Sequence, residues 1–245
     1  MTVYLVGAGP GDPGLITVRG AELLRQADVV VFDRLVHPDL VALAPSSAER
    51  ISAGKAPKRP TMTQEQINEL LVVRGLAGLE VVRLKGGDPF IFARGGEEAA
   101  ALQAAGVRFE IVPGITSAIA APAYAGIPAT FRNESLSVTI VTGHEDPAGS
   151  AEVDWGALAR VGGTIVVLMG AARARRIAAA LIAGGLDPAT PAATVQWGTH
   201  KHQLVKRLTL ATLGAEPVPS PAAIVIGKVA AHDLAWFHPA DATAG

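Results

Sequence analysis

Short apolar runs alternate with segments of helical spacing through the first half of the 245-residue chain. Apolar strands separated by helices are typical of a mainly parallel sheet that is covered on both faces. Thr17 and Thr63 are expected to begin two of the helices, and Gln66 completes a capping box with Thr63. The predicted strands are residues 3–6, 28–32, 81–84 and 109–112, and the predicted helices are residues 17–27, 63–73 and 97–105.

The second half has strand candidates that lie closer together and only one long helix, residues 171–183. Residues 193–197 and 204–208 are separated by a short polar stretch and are expected to form a hairpin. A mixed α/β domain is therefore expected here. The remaining strand candidates are residues 138–142, 164–168 and 222–226.

The change of pattern falls near Pro113 and Gly114, where a predicted strand ends. A chain of this length can hold one large domain or two smaller ones. The change of pattern favours two. We expect an N-terminal α/β domain of residues 1–114, a C-terminal mixed α/β domain of residues 115–240, and a tail of residues 241–245.

The charge and cysteine content exclude several classes of function. Twenty-one basic and 22 acidic residues give a net charge of −1, whereas a general nucleic-acid binder carries a broad positive surface. The absence of cysteine excludes disulfides, thiolate metal sites and cysteine nucleophiles, and it fits a reducing, cytoplasmic location. No signal peptide is expected, because the chain opens on a strand-like run. No membrane partner is expected either, since prolines and glycines interrupt the uncharged stretch 111–131.

A glycine-rich loop, residues 7–14, follows the first predicted strand and precedes a helix. It resembles the dinucleotide-binding pattern G-x-G-x-x-G, but Asp12 occupies the third glycine position. Pro10 and Pro13 also remove two N–H groups that would bind a pyrophosphate, so phosphate binding is disfavoured. A second loop, residues 85–90, follows another strand. The two loops could share a crevice at the carboxyl ends of the strands, or both could be tight turns.

Charged residues cluster after the predicted strands. Asp33 follows the second strand and is expected to face the same crevice, or else to cap a helix or pair with Arg34. The basic stretch 55–59 is either a solvated loop or a site for a polyanion. His200 and His202 would share one face of a strand, where an exposed pair is favoured over a metal site. Further positive charge near the crevice is expected from Arg83, Lys85, Arg94 and Arg132.

Several segments resemble the tetrapyrrole methyltransferases, and among them the uroporphyrinogen-III C-methyltransferases. The similarity runs from about residue 3 to residue 229, with the motifs in the family's order and spacing. Together these motifs are specific, although each one alone is not. They are residues 6–13, 27–30, 33–36, 83–92, 94–98, 112–118, 125–128 and 142–144.

The resemblance implies the tetrapyrrole methylase fold, in which two α/β domains hold the ligand in a cleft between them. It implies S-adenosylmethionine as methyl donor, released as S-adenosylhomocysteine, and no metal. Asp33 would be the proton acceptor and Lys55 the proton donor. The implied cofactor contacts are Pro10, Gly86, Gly87, Asp88, Ile91, Thr116, Ser117, Met169 and Gly198, and the implied substrate contacts are Arg34, Lys85, Arg94 and Arg132.

The activity that the resemblance implies is C-methylation of uroporphyrinogen III at C2 and C7, giving precorrin-2 for sirohaem or cobalamin synthesis. The expected partners are a small tetrapyrrole substrate and a second copy of the chain. Alternatives are a later corrin-ring precorrin methyltransferase, a nucleotide-dependent oxidoreductase and a non-catalytic tetrapyrrole-binding module. The chain departs from the family at Phe131 and Pro60, where histidines are usual, and these positions could alter substrate contacts and loop order.

Overall fold

The computed structural model describes residues 1–54, 62–144 and 152–238. The chain divides into a first unit, Met1–Thr116, and a second unit that begins at Ser117. The expected tail, residues 241–245, lies outside the described residues. No helix in the described ranges has the length and apolarity that crossing a membrane requires.

The first unit is built on a five-stranded sheet in the order β3-β2-β4-β1-β5, and every strand pair is parallel. The parallel N-terminal sheet that the sequence predicts is therefore confirmed. Its strands are β1 Val3–Gly7, β2 Val29–Phe32, β3 Glu49–Ser52, β4 Val81–Lys85 and β5 Phe109–Val112, and its helices are α1 Val18–Arg25, α2 Pro38–Ala42, α3 Gln64–Leu76 and α4 Gly95–Ala104.

Helices cover both faces of this sheet. Alternate residues of each strand point to opposite faces, so Val82 and Leu84 pack with α1 and α2, whereas Val81 packs with α3 and α4. The Thr17 side chain caps α1, and Thr63 forms the predicted capping box with Gln66 at the start of α3. The parallel strands all end at the same edge of the sheet, and the loops that follow them meet there.

The second unit has a sheet in the order β6-β7-β10-β8-β9, in which only β6 and β7 pair in parallel. The predicted mixed sheet and the predicted hairpin of β8 and β9 are confirmed. The strands are β6 Val138–Thr142, β7 Thr164–Leu168, β8 Pro191–Gln196, β9 Leu204–Thr209 and β10 Ala222–Ile226, and the helices are α5 Ser117–Tyr124, α6 Trp155–Val161 and α7 Ala174–Ala183.

Strands β6, β7 and β8 run in one direction, because β10 is antiparallel to both β7 and β8. Their carboxyl ends therefore share one edge of the second sheet. One face of this sheet packs against α6 and α7, and the other against α5. The residues that follow β7 and β8 come to the same edge for this reason.

The predicted strand position of His200 and His202 is wrong. Strand β8 ends at Gln196, and both histidines lie in the turn before β9, where their rings lie within 5.3 Å of the Trp197 ring. The two imidazole rings lie together because both pack on the indole ring of Trp197 in this turn, and not because they share one face of a strand. Strand β3 was also not predicted, because it is a sheet edge whose sequence Glu49–Ser52 includes two exposed charged residues.

Candidate active site

Three loops of the first unit converge at the carboxyl ends of β1, β4 and β5, where glycines allow the main chains to touch. A Cβ added to Gly7 would lie 2.5 Å from the Cα of Gly114 and 2.7 Å from the carbonyl oxygen of Gly87. Contacts this short exclude any side chain at Gly7. The glycines after β1 and β5 are thus needed for the loops to approach one another.

Hydrogen bonds tie the same loops together. The Ala8 amide donates to the Lys85 carbonyl at 2.7 Å, and Gly9 and Gly87 exchange a pair of backbone hydrogen bonds. Asp88 joins the loops through its side chain, because Oδ2 accepts from the Gly114 amide at 3.0 Å. The convergence of the first two loops that the sequence suggested is therefore confirmed.

Asp88 accepts a second hydrogen bond, from the Phe90 amide to Oδ1 at 2.8 Å. Each oxygen of this carboxylate thus has one backbone donor and keeps further lone pairs for a ligand. Next to it, an added Cβ on Gly86 would have no described neighbour within 4 Å, which leaves the main chain open there. An open main chain, a carboxylate with free acceptor capacity and the exposed side chain of Ile91 fit S-adenosylmethionine, a ligand with amino, hydroxyl and apolar groups.

The other residues of the first unit that the family resemblance assigns to the cofactor lie on the same loops. Pro10 is half-buried in the loop after β1, and Thr116 is half-buried after β5 at the end of the unit. All of the residues expected from this unit therefore follow the carboxyl ends of β1, β4 and β5. Their contact with a cofactor stays a prediction.

In the second unit, Ser117 is the first residue of α5, whereas Met169 and Gly198 follow strands of the sheet. Met169 directly follows β7 and Gly198 follows β8, so both lie at the shared carboxyl edge of the sheet. Met169 has a left-handed backbone with φ 55°, and its side chain is 52% exposed. Gly198 packs closely on α5, the helix that begins at Ser117, because an added Cβ would lie 2.5 Å from the Cβ of Ala121.

Asp33 stands at the carboxyl end of β2 and is bound from β4. Its amide donates to the Leu84 carbonyl at 3.2 Å, and its Oδ1 accepts from Nη2 of Arg83 at 2.6 Å. The ion pair with Arg34 that the sequence allowed is replaced by one with Arg83. The Asp33 side chain remains 35% exposed, so a ligand can reach it.

Arg83 and Lys85, from which positive charge near the crevice was expected, are buried. Their side chains are 3% and 2% exposed, and both bind Oε1 of Glu98, at 3.0 Å for Nε of Arg83 and 2.8 Å for Nζ of Lys85. Burial, followed by repulsion from Arg83, lowers the pKa of Lys85, although the Glu98 carboxylate opposes the shift. The proposed contact of Lys85 with the substrate stays a prediction, and its ammonium group is occupied inside the unit.

Glu98 is the charged residue of this region that the sequence analysis did not single out. Arg83 and Lys85 are two positions apart on a buried strand, so both side chains point to one face of the sheet. Two buried cations on one face require a buried anion nearby. Helix α4 supplies this anion. Glu98 lies four residues before the buried Leu102, so both side chains are on the buried face of α4.

The other basic residues expected at the substrate are exposed. Arg34 lies after β2 and close to Gly54, because a Cβ added to Gly54 would be 2.7 Å from the Cβ of Arg34. Arg94 is 57% exposed and binds Glu97 through two hydrogen bonds, which raise the pKa of Arg94 and lower that of Glu97. Arg132 is exposed in a turn of the second unit. Lys55 and Pro60 lie outside the described residues.

Phe131, which stands where a histidine is usual in the family, stacks on His232 with ring centroids 4.4 Å apart. Nε2 of His232 lies 2.8 Å from Oε2 of Glu134. The described residues contain no group of three or more histidines and carboxylates that could hold a metal ion. The expected absence of a metal stays a prediction.

Comparison with known proteins identifies relatives over nearly the whole chain. A family model described as Tetrapyrrole (Corrin/Porphyrin) Methylases matches residues 2–214. The S-adenosyl-L-methionine-dependent uroporphyrinogen III methyltransferase of Methanosarcina barkeri is 49% identical over 238 residues, which are 95% of this chain and 93% of that protein. The chain also matches bacterial siroheme synthases at similar identity but spans about half of their length, 50% for siroheme synthase 1 of Yersinia pseudotuberculosis.

Solved structures share this fold. The uroporphyrin-III C-methyltransferase of Thermus thermophilus, complexed with S-adenosylhomocysteine, has a TM-score of 0.82 and 40% identity, covering 94% of this chain and 98% of that one. A cobalt precorrin-4 methyltransferase has a TM-score of 0.83 and 31% identity, covering 94% and 95%. The sequence matches are consistent with the parallel sheet, the mixed sheet and the glycine loops described above. The chain therefore belongs to the tetrapyrrole (corrin/porphyrin) methylase family.

Proposed function

We propose that the chain methylates uroporphyrinogen III at C2 and C7 and so forms precorrin-2, with S-adenosylmethionine as the methyl donor. The observation that carries the proposal is the accessible carboxylate of Asp33, held by Arg83 at the carboxyl end of β2. The 49% identity to a uroporphyrinogen III methyltransferase over 95% of the chain supports the choice of substrate.

The reaction requires alignment and proton transfer more than it requires a reactive side chain. S-adenosylmethionine supplies an electrophilic methyl group, and the electron-rich pyrrole carbon attacks it in line. Asp33 then accepts the proton that the ring loses, which is general base catalysis by a positioned carboxylate. Lys55 is proposed as the proton donor on the basis of the family resemblance alone.

The cofactor contacts that we propose in the first unit are main-chain atoms of Gly86 and Gly87, the Asp88 carboxylate, and the side chains of Pro10, Ile91 and Thr116. In the second unit we propose Ser117, Met169 and Gly198. The open main chain at Gly86 and the exposed Met169 at the end of β7 support these assignments. Contacts of this kind orient the methyl donor for in-line attack.

Uroporphyrinogen III carries eight carboxylates, so its binding requires positive charge near the site but not a positive protein. Arg34, Arg94 and Arg132 are exposed and can pair with carboxylates. Lys85 would need to leave Glu98 before it could do so. We further propose that the chain acts in the cytoplasm as a homodimer, on the basis of the family resemblance.

The decisive experiment is incubation of the purified protein with uroporphyrinogen III and methyl-labelled S-adenosylmethionine under reducing conditions. Mass spectrometry of the tetrapyrrole is expected to give a doubly methylated product. Failure to transfer label would reject the proposal. Substrate binding without consumption of the methyl donor would instead support a non-catalytic binding module.

A corrin-ring methyltransferase is the second candidate, because the TM-score to cobalt precorrin-4 methyltransferase equals that to the uroporphyrin enzyme within 0.01. Overall fold therefore does not discriminate between these substrates. The higher identity to the uroporphyrin enzyme favours the first candidate. Methylation of a corrin precursor in place of uroporphyrinogen III would reverse this preference.

A further inference from the structure

Four charged side chains form a connected cluster inside the first unit, which we call the Asp33 cluster: Asp33, Arg83, Lys85 and Glu98. Arg83 lies at its centre, with Nη2 2.6 Å from Oδ1 of Asp33 and Nε 3.0 Å from Oε1 of Glu98. Lys85 binds the same Glu98 oxygen at 2.8 Å. The guanidinium is therefore held from two sides by carboxylates.

Burial differs sharply within the Asp33 cluster. The side chains of Arg83, Lys85 and Glu98 are 3%, 2% and 0% exposed, whereas that of Asp33 is 35% exposed. Only the Asp33 end of the cluster is open to a ligand. Within the unit, Glu98 also accepts a hydrogen bond from Nε2 of Gln64 on α3 at 3.3 Å.

The charges of the Asp33 cluster cancel when Asp33 is ionised, since two cations face two carboxylates. Glu98 alone cannot balance both cations. The buried part of the cluster therefore presents positive charge to Asp33 through Arg83.

The geometry also fixes which oxygen is available. Arg83 occupies Oδ1 of Asp33, and the Asp33 amide is bound to Leu84, the neighbour of Arg83 on β4. No donor in residues 1–54, 62–144 or 152–238 forms a hydrogen bond to Oδ2. This charge-assisted hydrogen bond anchors Oδ1 and limits how the carboxylate can turn, while Oδ2 has no donor among the described residues.

We propose that Arg83 is a positioning residue that orients Asp33 for proton transfer, and that Glu98 and Lys85 hold Arg83 in place. The proposal rests on the proposed function, in which Asp33 accepts the ring proton. In that step a C–H bond of the methylated tetrapyrrole breaks, its electron pair neutralises the cationic pyrrole that methyl transfer creates, and an O–H bond forms at Oδ2 of Asp33. Arg83 keeps its own protons throughout and remains bound to Oδ1.

The test is a double-mutant cycle on turnover with Arg83→Lys, Arg83→Met and Asp33→Asn. We expect Arg83→Met to lower kcat by about tenfold to a hundredfold, part of the roughly 10²–10⁴ that a positioned base contributes, with little change in KM for S-adenosylmethionine. Arg83→Lys keeps the charge and should recover part of the loss. In the Asp33→Asn background, Arg83→Met should cost less than about twofold, because its effect passes through Asp33.

Arg74→Met is the matched control. Arg74 lies on α3 of the same unit and binds Glu49 at 2.9 Å, outside the Asp33 cluster. It should leave kcat unchanged in both backgrounds. A loss from Arg83→Met that is as large in the Asp33→Asn background as in the wild-type background, or that Arg74→Met reproduces, would overturn the positioning role.

Crystal structures of the wild type and of Arg83→Lys give a readout that needs no activity. We expect the Asp33 carboxylate to rotate away from its wild-type orientation in the variant, and an unchanged carboxylate would overturn the proposal. The proposed function fails separately, if Asp33→Asn turns over like the wild type or the wild type transfers no methyl group. Glu98→Gln provides a further variant should the Arg83 variants not fold, with a kcat loss that again disappears in the Asp33→Asn background.

Discussion

The main chains of Gly7 and Gly114 touch where the loops after β1 and β5 meet, and a Cβ on Gly7 would lie 2.5 Å from the Cα of Gly114. On the other side, a Cβ on Gly114 would meet the carbonyl oxygen of Gly87. Both glycines are therefore required by packing inside the first unit, before any ligand is considered. The contact sets the spacing of the loops that carry the proposed cofactor residues.

Replacement of Gly114 by alanine is expected to destabilise the first unit. The added methyl group has no room between Gly7 and Gly87, so the loops must separate, at a cost of about 1–3 kcal/mol in the free energy of unfolding. Urea denaturation of both proteins measures this change. Gly96→Ala is the control, because a Cβ there meets no described neighbour and alanine favours the helix. Equal stability of Gly114→Ala and wild type would contradict the packing requirement.

Gly86→Ala separates ligand binding from folding. A Cβ at Gly86 has no described neighbour within 4 Å, so the stability of the variant should stay within about 0.5 kcal/mol of wild type. If the main chain of Gly86 contacts the cofactor, the methyl group should weaken binding of S-adenosylhomocysteine by about tenfold or more. Isothermal titration calorimetry measures this, with Gly96→Ala as control. Unchanged affinity would remove Gly86 from the proposed cofactor site.

The strand positions could be predicted because they depend on local sequence. The β-branched run Val29–Phe32 and the ends of Val138–Thr142 and Ala222–Ile226 are visible without knowledge of any partner strand. The edge strand Glu49–Ser52 could not be recognised in this way, since pairing with β2 and not apolar periodicity stabilises it.

The Asp33 cluster could be predicted only in part. Asp33 is recognisable as a polar residue after a strand, but its partner Arg83 is 50 positions away and is reached only through the parallel pairing of β2 with β4. From the sequence, Arg83 and Lys85 are expected to supply positive charge near the crevice, and their burial could not be foreseen because charged residues are usually exposed. The carboxylate of Glu98 reverses that expectation, and its position depends on how α4 packs on the sheet.

The lowered pKa of Lys85 predicts a pH dependence of stability. Burial and Arg83 lower this pKa below the ordinary 10.5, so the unfolded chain binds the proton more tightly than the folded chain does. Between the folded pKa and 10.5 the contribution of Lys85 to stability therefore rises with pH. Urea denaturation at pH values that approach 10.5 from below should show wild type gaining stability relative to Lys85→Met. A difference that stays flat or falls with pH would contradict this.

Met169 adopts a left-handed backbone, φ 55°, directly after β7, and its side chain is 52% exposed. Because a left-handed backbone costs a residue with a Cβ about 1 kcal/mol, Met169→Gly should be more stable than Met169→Ala by about that amount, measured by urea denaturation. Val161, exposed in the last turn of α6, is the matched control, where the glycine variant should be less stable than the alanine variant by about 0.5–1 kcal/mol. The same order at both positions would show that Met169 is not strained, whereas opposite orders would show that its conformation is imposed by the sheet edge.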